Sequence, residues 1–134
     1  MCRDQGRWDE LSDTFTAYGT IFVTWFSGPF KDFVIASRRM HAPQSPRVKH
    51  LIGVPVIQLQ GDRALAETNV QILGRFAAEV IDIDYTSHAR FLDRLVRCKA
   101  GWQIQARTAI YEKDRFDPVT PGDAFARFMV ETDF

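Results

Sequence analysis

Residues 82–113 read DIDYTSHARFLDRLVRCKAGWQIQARTAIYEK, and their pattern decides the fold. Polar and apolar residues alternate from Asp82 to Arg97, the period of a strand with one face turned inward. Lys99-Ala100-Gly101 makes a tight turn, and Trp102 to Lys113 returns as the next strand. Upstream, Val48 to Leu59 is extended, Gln60-Gly61-Asp62 is a turn, and Arg63 to Arg75 is extended again. Consecutive strands joined by short glycine turns predict an antiparallel meander.

The residues before the meander follow a different period. Trp8, Leu11 and Phe15 fall at helical spacing, which predicts an amphipathic helix from Asp4 to Phe15. Gly19 to Phe26 (GTIFVTWF) is β-branched and aromatic, the profile of a buried strand. Ser27-Gly28-Pro29 is a helix-start signal. Phe30, Phe33, Val34 and Ser37 then share one face, and Pro43 and Pro46 stop the helix near His41. Helices first and a meander after them indicate an α+β fold. A strongly bent antiparallel sheet with helices on its concave side makes a cone-shaped, cystatin-like domain, with an interior where a small ligand binds.

Composition agrees with this and excludes several classes. At 134 residues the chain has the size of one domain, 1–134, and 46% hydrophobic with 13% aromatic content is too apolar for disorder. Seventeen basic residues balance seventeen acidic ones without a basic stripe, which argues against nucleic acid and anionic membrane as partners. The thirteen arginines and four lysines suit a GC-rich bacterial source. Two cysteines, Cys2 and Cys98, supply neither a disulfide framework nor a metal cluster. No apolar run reaches the roughly twenty residues of a membrane helix, and the start MCRDQGRWDE lacks the apolar middle of a signal peptide. A soluble, cytoplasmic protein is expected.

Titratable groups on an inner sheet face are the places to look for chemistry. His50 opens the strand KHLIGVPVIQL and points the same way as Ile52, Val54 and Val56. Imidazole is suited to general-base work near neutral pH, and a carboxylate that holds one ring nitrogen improves it. Asp4 is the candidate orienter; the alternative is a histidine satisfied within the core. His88 shares a face with Thr86, Arg90 and Arg94. That face is either a polar end of the pocket or a solvated outer surface. His41, beside prolines at a helix end, reads as a capping or surface residue. The stretch from Ala124 to Phe134 puts Phe125, Phe128 and Met129 on one face. It suits a helix over the mouth of the cone, a dimer contact or a loose tail.

Taken in order, the segments DQGRWDEL, the Phe-rich strand, SGPFKDF, VKHLIG, QGDRALAET, ARFLDRLVR and GWQIQARTAIYEKDRFDPV resemble the SnoaL-like branch of the nuclear transport factor 2-like superfamily. The match runs from Asp4 to Val119. The resemblance implies the conical fold and a homodimer formed through the sheet. It also implies similarity to scytalone dehydratase and hexachlorocyclohexane dehydrochlorinase, which use a His–Asp dyad without a cofactor. On this pattern Asp4 and His50 are the dyad, and His88 is a candidate second pocket histidine. Relatives carry a longer first helix ahead of Asp4, with a tyrosine where this chain has Met1. Lacking that segment, the chain is expected to use Tyr18 or Tyr85 as the donor to substrate.

The expected activity is a cofactor-free lyase, such as a dehydratase, acting on a small hydroxylated cyclic or aromatic compound. Phe22, Trp25, Phe33, Val54 and Ile72 are the expected apolar walls, and Arg90 an additional polar contact. The rival from another class is a non-catalytic binding or dimerisation module. An epoxide hydrolase would use Asp93 and Arg90 in an Asp–Arg–Asp triad. An isomerase of the ketosteroid type would need a carboxylate base with a tyrosine-plus-acid site, a pattern not found here.

Overall fold

Strand alternation and glycine turns shape most of the chain. The computed structural model describes residues 2–41 and 48–119. In chain order these form α1 (Trp8–Asp13), β1 (Phe15–Val23), β2 (Phe26–Pro29), α2 (Phe30–Met40), β3 (Val48–Ile52), β4 (Val56–Gln60), β5 (Arg63–Ala77), β6 (Asp82–Cys98) and β7 (Gly101–Val119). The sheet order is β2-β1-β7-β6-β5-β3, with β4 also paired to β5, and the path does not close on itself. The result is a curved α+β cone. Gly61 (φ 56°) and Gly101 (φ 109°) sit at the two predicted turns, in the left-handed conformation that glycine tolerates best.

From β3 to β7 every pairing is antiparallel, as the meander requires. The sheet as a whole is mixed, however, because β1 lies parallel to β7, with Ile21 opposite Arg107 and Phe22 opposite Thr108. Alternation within a strand does not encode its partner, and β7 had an edge left to fill.

Three element boundaries also differ from expectation. The extended run at 48–59 is two strands, broken at Gly53-Val54-Pro55 where Pro55 has no N–H to give to a ladder. Gly53 N–H still donates to the Asn69 carbonyl at 2.8 Å, so both halves stay on β5. The first helix is short. Residues 2–6 form turns ended by Gly6 at φ 69°, and helix begins only at Trp8. Phe15 belongs to β1, which ends at Val23 in a hairpin to β2.

Helix α2 buries Phe30, Phe33, Val34 and Ser37, the face its 3.6-residue period selects. Asp32 in its first turn and Arg38 and Arg39 in its last complement the helix dipole, and His41 caps its end. Phe30, Phe33 and Val34 join Phe15 and Ile21 in the core cluster. Each such side chain contributes about 1.5–3 kcal/mol of burial free energy. None of the described helices is long and apolar enough to cross a membrane. The stretch 124–134 and the prolines at 43 and 46 lie outside the described residues.

Candidate active site

The core is not filled. Between α2, the N-terminal turns and the inner face of the sheet lies a cavity of about 230 Å³. Its apolar wall includes Phe15, Phe30, Phe33, Trp25, Ile72 and Phe91, and its polar groups include Arg3, Asp4, His50, Arg107 and Tyr111. Cavity and core cluster share Phe15, Ile21, Phe30 and Phe33, so the residues that hold the fold together also shape the site.

The N-terminal turns aim Asp4 at the start of β3. One carboxylate oxygen accepts the backbone N–H of His50 at 2.7 Å, and the other lies 2.7 Å from its Nδ1. Both side chains are largely buried, 15% exposed for His50 and 10% for Asp4. Burial alone pushes the Asp4 carboxyl upward. The two hydrogen bonds from His50 and the nearby positive charge of Arg3 more than offset it, and Asp4 titrates below the usual carboxylate range. An ionised carboxylate only accepts hydrogen bonds, so Nδ1 must carry the proton in this contact. Nε2 of His50 has no protein partner among the described residues, and in the neutral ring it carries the lone pair that a general base requires.

A second ion pair has one member, Arg107, on the wall of the same cavity. On neighbouring strands Asp93 stands opposite Arg107, which donates from Nε at 2.7 Å and from Nη2 at 2.6 Å. Arg107 also lies over the Phe91 ring, 4.2 Å from its centroid. Arg3, next to Asp4, packs against Trp25 and Phe33, each ring centroid 5.8 Å away, and its Nε donates to the buried Ser37 hydroxyl at 3.3 Å.

Of the residues expected at the site, Asp4, His50, Trp25, Phe33 and Ile72 line the cavity. Others do not, and the two-residue strand period explains each. His88 and Arg90 alternate with Ala89 and Phe91, which face the cavity, so both point to the outer surface. There Arg90 pairs with Glu67 and Glu112 at 2.7 Å each. Phe22 lies between inward Ile21 and Val23 and is 57% exposed. Tyr18 is 94% exposed. Val54, 92% exposed, falls in the break between β3 and β4, where alternation with His50 is lost. The Asp93–Arg90 arrangement of an epoxide hydrolase is absent among the described residues, because the two side chains leave opposite faces of β6.

Tyr85 is on the inner face two residues before Ser87, outside the cavity wall but close enough to sense Arg3 and Tyr111. Burial pushes its phenol above the ordinary value, Tyr111 adds to this, and Arg3 opposes it. The ring lies directly over Gly74 on β5, where a Cβ would stand 2.4 Å from it. His41 caps α2 with its ring edge-on to Trp8, 5.4 Å between centroids.

Sequence reasoning missed Arg3, the Asp93–Arg107 pair and Tyr111. A signal was present for Asp93, which shares a strand face with the small and apolar Ala89 and Phe91 that line the cavity. Nothing in the local sequence marks Arg3.

Comparison with known proteins places this geometry in context. The family model described as a SnoaL-like domain matches residues 1–108. A protein from Kribbella flavida superposes with a TM-score of 0.70 at 21% identity, covering 85% of this chain and 83% of that one. A Novosphingobium aromaticivorans protein described as a scytalone dehydratase gives 0.68 at 14% identity, with coverages of 89% and 80%. A Nostoc punctiforme protein with a cystatin-like fold gives 0.64 at 16% identity, with coverages of 84% and 81%. At these identities the likeness establishes the fold alone. No protein of curated function matches the chain in sequence.

Proposed function

The chain belongs to the SnoaL-like domain family, and from that premise we propose that it is a cofactor-free lyase acting on a small hydroxylated cyclic or aromatic compound. One observation carries the reading: Asp4 holds both the ring and the backbone of His50 at 2.7 Å, on the wall of an aromatic-lined cavity. In the proposed reaction His50 Nε2 takes a proton from a carbon beside a carbonyl or arene. The electrons of that C–H bond form a double bond as the neighbouring C–O bond breaks, and the departing hydroxyl leaves as water once protonated. Asp4 steadies the imidazolium that forms in between. Tyr111, on the cavity wall, and Tyr85, beside it, are the phenols placed to assist the leaving oxygen. General acid–base help of this kind is worth about a hundred- to ten-thousand-fold in rate.

A non-catalytic binding or dimerisation module would call for a pocket that is small, filled by side chains, or lacking a His–carboxylate contact. The cavity and the contact favour the lyase instead. A dimer formed through the sheet is part of the proposal, and the outer face supplies a suitable surface. Phe22 and Leu92, 57% and 37% exposed, flank Thr108 across three adjacent strands. A cytoplasmic location is also proposed, in keeping with two cysteines that are both unbonded.

The test is turnover across a panel of hydroxylated ring compounds, followed by product mass. Loss of one water in the wild type, abolished in His50→Ala, is the expected result. Turnover of a substrate that survives His50→Ala would refute the mechanism.

A further inference from the structure

We infer that Arg3 makes the cavity selective for an anionic ring compound, one whose carboxylate pairs with the guanidinium while its ring lies among the aromatic side chains. The inference rests on reading this cavity as the ligand site. Three charged side chains line it besides His50: Asp4, Arg3 and Arg107. Asp4 is committed to His50 through both oxygens, and Arg107 is committed to Asp93 through two parallel hydrogen bonds. Arg3 has no such partner. Among the described residues it forms no ion pair, and its one side-chain hydrogen bond goes to a neutral hydroxyl, Ser37. With His50 neutral, the charges of Arg3, Asp4, Arg107 and Asp93 balance, and Arg3 is the cation of this set whose guanidinium has no carboxylate in contact among the described residues.

A charge taken out of water needs a partner of opposite sign, and an arginine keeps its charge at any accessible pH. Burial pushes the Arg3 guanidinium below its ordinary value, even though Asp4, Tyr111 and Tyr85 pull the other way. A ligand carboxylate would relieve this. The guanidinium is also pre-positioned. Trp25 and Phe33 flank it at 5.8 Å and Ser37 holds Nε, which leaves the Nη groups to form a fork with a carboxylate. Arg3 adjoins Asp4 in sequence, so an anion bound there sits near the base. Negative charge developing on a substrate carbonyl or arene during proton removal would lie within the same field.

The probes are benzoate and its neutral isostere benzamide, titrated into the full chain at low salt with Trp fluorescence or calorimetry as the readout. Benzoate should bind about tenfold or more tightly than benzamide, the ratio expected for one charge-assisted fork. Arg3→Gln should bring the ratio to near one. Arg3→Lys keeps the charge, guards against a folding defect, and should weaken benzoate binding while leaving benzamide unchanged. Equal binding of the two probes by wild type, binding of neither, or a ratio unchanged in Arg3→Gln would overturn the inference. His50→Ala should keep the ratio. The lyase reading therefore stands or falls on turnover, and this one on the charge preference.

Discussion

Asp93 and Asp4 are each bound to a single residue through both carboxylate oxygens, Asp93 to the guanidinium of Arg107 and Asp4 to the ring and backbone of His50, and the consequences differ. Asp93 faces Arg107 directly across a strand pair, at a separation of 14 residues, and its guanidinium partner keeps its charge. Asp4 reaches from the N-terminal turns to His50, 46 residues away, and its partner can take up or release a proton. The first pair closes the sheet against its own buried charges. The second joins the N-terminal turns to β3, and in the neutral ring it leaves Nε2 without a proton on a residue that lines the cavity. A doubly bound carboxylate is structural in one place and reactive in the other because imidazole titrates and guanidinium does not.

The contrast can be broken most sharply at His50. His50→Ala should cut turnover about a hundred- to ten-thousand-fold, measured under saturating substrate, with the melting temperature changed far less. Asp93→Ala should do the reverse. It strands Arg107 without its counter-ion and should cost about 3–5 kcal/mol of stability by urea denaturation.

A smaller effect separates the carboxylates by pH. Asp4 titrates below its ordinary range in the folded chain, so its contribution to stability is complete above the usual carboxylate pKa and is lost as pH falls through the folded value. Wild type should therefore lose more stability than Asp4→Asn between neutral and acid pH, and identical slopes would contradict the assignment. The smallest effect is expected beside the site. Gly74→Ala puts a Cβ against the Tyr85 ring. The far end of that ring can swing away, and the cost should be about 1 kcal/mol, read as a modest drop in melting temperature.

Much of this was legible in the sequence. The face of α2 followed from Phe30, Phe33, Val34 and Ser37, and the turns at Gly61 and Gly101 from glycine placement. His50 was found because a histidine opening an apolar strand stands out, and its pairing with Asp4 because the family pattern matched. What escaped depended on information between strands rather than within them. The parallel pairing of β1 with β7 has no local signature, and neither has the irregularity between Arg94 and Leu95 that sets Asp93 opposite Arg107 rather than Ala106. His88 was left between two faces because alternation defines sides without saying which is inward; apolar Ala89 and Phe91 held the answer. Val54 was misplaced by running one strand through Gly53 and Pro55, both of which announce a break.

Base catalysis by His50 requires a neutral ring with a bare Nε2, and ring nitrogen-15 shifts at neutral pH measure that state directly. The neutral ring should carry its proton on Nδ1, facing Asp4, with Nε2 bare, and Asp4→Asn should weaken that preference. A proton on Nε2 in the wild type, or a spectrum indifferent to Asp4→Asn, would contradict the assignment of His50 as a base held by Asp4.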